Sequence, residues 1–178
     1  MRAFRCLTPI LMSLLCVCPL LAQKEQRPTL TGPQMEQIRE AGIDPIQRVK
    51  LYTKFIDEHV DTIKGLSLRA RSAARARRLD DELQSLTALM DELGSNLDQY
   101  GDRKADLRKS LKPLTEATQR WLGVLHALPT EPIFDLSLKE AIDSRQDLAD
   151  QATQLLREQT EYFNLHKDEQ GQDRAEPK

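Results

Sequence analysis

Three histidines, a run of arginines and two clusters of carboxylates are the side chains in this sequence with the most obvious chemistry to offer. His59, His126 and His166 could ligate a metal or carry protons near neutral pH. Their neighbours argue against both. Helical di-metal centres place a glutamate three residues before a histidine, so that both ligands share a face one turn apart, and none of these histidines has one. The H-E-x-x-H zinc pattern is missing as well. Asp57-Glu58-Asp61 and Asp80-Asp81-Glu82 are dense in carboxylate. On an amphipathic helix such groups form the solvated face, and acid-base catalysis needs a cleft that drives paired pKa values apart. Neither G-x-S-x-G nor a phosphate-cradling glycine loop occurs. The expectation is a protein that is not an enzyme, with no catalytic residues, no cofactor and no metal.

The arginines are more informative. Arg69, Arg71, Arg75, Arg77 and Arg78 fall within ten residues with no acid among them. Arg71, Arg75 and Arg78 share a helical face and form the candidate anion-binding stripe, suited to a lipid headgroup, an envelope polymer or an acidic protein patch. The competing reading is internal, with Arg77 and Arg78 paired to Asp81 and Glu82 one turn on.

Where such a stripe works depends on the front of the chain. Cys6, Cys16 and Cys18, the only cysteines, lie in the first 22 residues. Arg2 and Arg5 precede an almost continuously apolar run from Leu7 to Leu21, and Ala22 supplies a small residue for cleavage. This is the outline of a secretory signal peptide over residues 1–22. The apolar core is too short for a spanning helix, which needs about 20 residues. Neither Leu15 nor Val17 is the small residue that lipidation of Cys16 or Cys18 would require. The expected product is exported to the periplasm or outside the cell, with no integral membrane span. It has no disulfide, thiolate metal site or cysteine nucleophile. Removing Arg2 and Arg5 from the 26 basic residues leaves 24 against 28 acidic ones, a net charge of −4 that gives no reason to expect nucleic acid.

The remainder reads as helix throughout, since no segment alternates with period two. Residues 23–44 are a polar lead-in with a short helix over Pro33 to Ala41, capped by Thr31 and Gln34 and ended by Gly42. Residues 45–166 form the helical domain. Asp44-Pro45 opens the first long helix, which Gly65 closes in the left-handed conformation near residue 66 unless it runs on to 78. From Leu79 to Leu128 apolar residues recur at alternating spacings of four and three, interrupted only by Lys104 and Thr118, a heptad seam about seven repeats long. Gly101-Asp102 suggests a turn at residues 100–102, giving helices over 70–99 and 103–128, the second kinked by Pro113. Ser137 and Glu140 form a capping box for the last helix, 138–166, and residues 167–178 are expected to be disordered.

Leu30-Thr31-Gly32-Pro33-Gln34 resembles the L-T-x-x-Q motif of small periplasmic stress chaperones of the Spy and CpxP type. Those proteins often carry a second copy, and nothing from residue 45 onward follows their pattern. The resemblance covers five residues and implies an exported, all-helical protein that binds unfolded or sensor proteins on a concave surface. The expected fold is all-α, an elongated antiparallel bundle of three to four long helices with coiled-coil-like packing. Trp121 serves as a packing anchor within it. The expected function is non-enzymatic interaction with another envelope protein, in a chaperone-like role. A homodimer through the seam and an anionic-surface binder through the arginine stripe are the alternatives.

Overall fold

A computed structural model describes residues 29–170. The expected signal segment, the first residues of the lead-in and residues 171–178 of the tail lie outside that range. The described chain is all-helical, without strands. It comprises α1 (Gly32–Glu40), α2 (Pro45–Ser67), α3 (Ala73–Asp102), α4 (Arg108–His126) and α5 (Asp135–Leu165).

The first two boundaries follow from local chemistry. The Thr31 amide donates to Gln34 Oε1 at 2.9 Å, the back half of a capping box. Gly42 at φ 59° turns the chain after α1 through a left-handed conformation. Asp44 then accepts from the amides of Ile46 and Gln47 at the start of α2.

Later boundaries differ from the sequence expectation. Gly65 is not a left-handed terminator: α2 runs through it to Ser67, with Leu68 as a right-handed cap. The helix does not reach residue 78, because Ser72 is extended and caps a new helix by accepting from the Arg75 amide. α3 absorbs Gly94 and Gly101, and the reversal comes at residues 103–107 with Lys104 at φ 54°. α4 therefore starts at Arg108, and Pro113 sits on its exposed side without dividing it. Ser137 does not cap α5. The helix begins at Asp135 because buried Phe134 holds the N-cap position, its carbonyl accepting from the Leu138 amide at 2.9 Å. Beyond His166, Lys167–Glu169 form a 3-10 turn, so the start of the expected disordered tail is folded. Tyr162 donates to Glu169 and Gln170 to the Phe163 carbonyl there.

Helix packing follows a ring. α2 packs beside α3 and α4, and α5 packs beside the same two, while the α3 and α4 backbones do not approach each other although consecutive in the chain. Contacts at three levels set the directions. Tyr52 meets Glu92 and His59 meets Glu82, so α2 and α3 are antiparallel. Asp80, Asp91 and Asp98 of α3 meet Ser137, Ser144 and Gln151 of α5 in the same order, so that pair runs parallel. Gln159, late in α5, reaches the start of α4, and these two are antiparallel. The directions therefore alternate along the chain, yet the neighbours in space are not all antiparallel.

The seam from Leu79 to Leu128 supplies much of the core. Leu79, Leu83, Leu86, Leu89, Met90, Leu93 and Leu97 on α3 are shielded almost completely, as are Leu111, Leu114 and Trp121 on α4. Each such side chain contributes about 1.5–3 kcal/mol relative to full exposure. Lys104 breaks the pattern because the chain reverses there, and the two halves of the seam enter the core from opposite corners of the ring. Its apolar residues are thus buried within the chain itself.

Candidate functional site

The end of the molecule where α2 stops, α3 begins, α4 stops and α5 begins carries the arginine stripe. Ser72 extends the backbone, and α3 then sets Arg75 and Ala76 inward while leaving Arg77 and Arg78 in solvent. Arg75 is 5% exposed and donates from Nη2 to Glu131 Oε1 in the α4–α5 loop. Arg71 is exposed and brings Nε to 3.8 Å from the same carboxylate oxygen. The structure therefore gathers Arg71 and Arg75 onto an internal counter-charge and leaves Arg78 apart from it. Of the expected helical pairings, Glu82 is instead drawn to His59 across α2, Oε2 to Nδ1 at 2.7 Å. Glu131 had no sequence signal, lying in a loop between two prolines and 56 residues from Arg75.

The histidines stay separate. His59 holds Glu82, His126 is exposed at the end of α4, and His166 stacks on Tyr162 with ring centroids 4.2 Å apart. No group of three His, Cys, Asp or Glu side chains converges as a metal site among the described residues. Trp121 is buried, and its indole N–H donates to Asp57 Oδ1 at 2.6 Å.

A second feature lies on the parallel α3/α5 face. Ser137, Ser144 and Gln151, spaced by seven residues on α5, donate to Asp80, Asp91 and Asp98 of α3 at 2.5, 2.6 and 2.5 Å. Gln151 also donates to the Gly94 carbonyl at 3.0 Å. The glycines at 94 and 101 let the helices approach here, since an added Cβ would stand 3.1 Å from Gln151 Oε1 and 3.3 Å from Leu155 Cδ1 respectively. Two adjoining hollows open along this seam, about 370 and 310 Å³, sharing Asp98 and Gln151. Asp91, Asp98, Asp102, Asp147 and Glu158 line them, with no basic residue. The heptad spacing of α5 polar residues was visible in the sequence, but their partner helix was not.

Three polar side chains inside the fold complete the electrostatic picture. Gln159 is buried and spans the α3–α4 turn, donating to the Ala105 carbonyl at 2.7 Å and accepting from the Leu107 amide at 2.8 Å. It occupies a core phase of α5, four residues before Phe163. Tyr52 donates to Glu92 at 2.5 Å, and burial, reinforced by that carboxylate, pushes its hydroxyl pKa well above the usual value. Arg145 is 3% exposed, and burial lowers its pKa against the opposing pull of Asp150. Its Nη2 donates to Gln146 Oε1 at 3.1 Å.

No protein-family model matches this sequence, and no curated protein or solved structure matches it. The five residues that resemble the chaperone motif have a local structural role: Leu30 is buried against the core, and Thr31 and Gln34 cap α1.

Proposed function

We propose that this chain is an exported, non-enzymatic helical protein that binds another protein in the cell envelope, in a chaperone-like role. The observation that carries this reading is the group of large apolar side chains left in solvent by a fold that buries its heptad seam. Ile43, before α2, and Leu165, at the close of α5, are 80% and 83% exposed at the end opposite the arginines, and Met35 stands out from α1. Exposed aliphatic groups on rigid helix ends can hold an apolar segment of an unfolded client while charged faces keep the complex soluble. Support for export comes from Leu7 to Ala22 behind Arg2 and Arg5. We infer in the same way that the ring of helices is an elongated bundle with coiled-coil-like interdigitation, supported by the seven-residue spacing of Ser137, Ser144 and Gln151.

The test is aggregation of a chemically unfolded client with stoichiometric protein. Suppression that weakens in the Met35→Ser, Ile43→Ser, Leu165→Ser triple variant supports the reading, and no effect of the unaltered protein refutes it. A second reading, an anionic-surface binder through Arg71, Arg75 and Arg78, gains support from the exposure of Arg71 and Arg78. Arg75, engaged by Glu131, is a structural member of that stripe and not a contact.

A further inference from the structure

We infer that the arginine-bearing end docks peripherally on an anionic lipid bilayer, with Leu68, Ile133 and Leu136 entering the headgroup layer and Arg69, Arg71 and Arg78 held against the phosphates. This rests on the reading of the arginines as an anion-binding surface and supplies the surface they meet.

Two observations converge on that end. From Lys64 to Leu79 the chain carries six basic residues and no acid. The carboxylates that the fold brings beside this segment are already engaged: Glu131 by Arg75 and Arg71, Asp135 by Lys139 at 2.8 Å, and Asp80 by the Ser137 hydroxyl. The second observation is apolar. Leu68 in the α2–α3 loop is 81% exposed, and Ile133 and Leu136 around the start of α5 are 47% and 68% exposed. They come from two different connections that the Arg75–Glu131 pair holds together. Each is next to, or two residues from, a buried anchor, Leu66 for one connection and Phe134 for the other, which fixes the backbone that presents it.

Aliphatic tips beside exposed arginines match the two layers of a bilayer surface. Apolar side chains gain by entering the acyl boundary, and guanidinium groups gain in the negative surface potential. The hollows along α3 and α5 that could receive a protein side chain are acidic and lie on another face. No described helix is long and apolar enough to cross a membrane, so the contact is peripheral.

The experiment is co-sedimentation of the protein recovered from an exporting host with phosphatidylcholine vesicles, with and without phosphatidylglycerol, alongside retention on a dextran sulfate resin. Two triple variants are compared, Leu68→Ser/Ile133→Ser/Leu136→Ser and Arg69→Gln/Arg71→Gln/Arg78→Gln. All six positions are exposed, and unchanged thermal melting verifies the fold. The expected result is binding to the anionic vesicles only, reduced at least tenfold in both variants, with the serine variant still held by the resin. Vesicle binding unchanged in both variants overturns the inference, because another segment then carries it. Resin retention without vesicle binding also overturns it while leaving the anion-binding reading intact. Loss in the arginine variant alone leaves a purely electrostatic contact with the headgroups and overturns the entry of Leu68, Ile133 and Leu136 into the bilayer. Binding to neither support removes both readings.

Discussion

Replacement of Gln159 by leucine is expected to loosen the joint on which α3 and α4 are hung. The wild-type amide satisfies two backbone groups at once, the Ala105 carbonyl at 2.7 Å and the Leu107 amide at 2.8 Å, and both residues are fully buried. Leucine has nearly the same volume and adds apolar burial, but it offers neither a donor nor an acceptor. An unsatisfied buried polar group costs about 1–3 kcal/mol, so two of them, offset by about 1 kcal/mol of added apolar burial, give a net loss of about 1–5 kcal/mol. Urea unfolding followed by circular dichroism reads that loss as a shift of about 0.5–2.5 M in midpoint for an m-value of about 2 kcal/mol/M. Hydrogen exchange locates it, with the Leu107 amide losing protection. Glutamate at the same position retains an acceptor for Leu107 but sets a carboxylate against the Ala105 carbonyl. Its folded pKa is therefore raised above the unfolded value, and the neutral acid can donate to Ala105. Stability of the Gln159→Glu variant relative to wild type is greatest below the unfolded pKa of about 4.3 and is lost as pH rises through the folded value. A leucine variant within about 0.5 kcal/mol of wild type, the usual range for an inconsequential surface change, would show that the joint is held by something else.

Other perturbations probe the remaining assignments. Glu131→Gln leaves buried Arg75 without its counter-charge and is expected to cost about 2–4 kcal/mol in the same urea assay, whereas replacing both residues by apolar ones recovers part of the loss. Gly65→Ala and Gly123→Ala are each expected to stabilise by about 0.5–1 kcal/mol, because both glycines lie within helices and an added Cβ meets nothing within 4 Å. Destabilisation by Gly65→Ala would restore the left-handed terminator that the sequence suggested. Burial raises the Tyr52 pKa, so its contribution is present below the unfolded value near 10 and is lost as pH rises toward the folded one. Chemical denaturation from about pH 9 to about pH 11 should accordingly show a steeper fall for wild type than for Tyr52→Phe.

Much of the secondary structure was legible because its causes are local. Asp44-Pro45 and Thr31 with Gln34 act within one helical turn, and Gly42 turns the chain by its own backbone freedom. The 3.6-residue period marked the buried faces for the same reason. Boundaries failed where distant residues intervened: Phe134 captures the start of α5, and Ser137, a good cap by type, is turned inward to Asp80. The arginine stripe was found by composition, yet its division into an engaged Arg75 and exposed neighbours depends on Glu131, 56 residues away.

All-α character, the capped starts of the first two helices and the identity of the core seam were therefore determined by the sequence alone, since each depends on groups less than about two turns apart. Tertiary structure alone decided that α3 and α4 sit at opposite corners although consecutive, that α3 and α5 run parallel, and that three aliphatic side chains share an end with the arginines. Those are consequences of which apolar faces meet, and a heptad stripe states that a face is buried without stating against what.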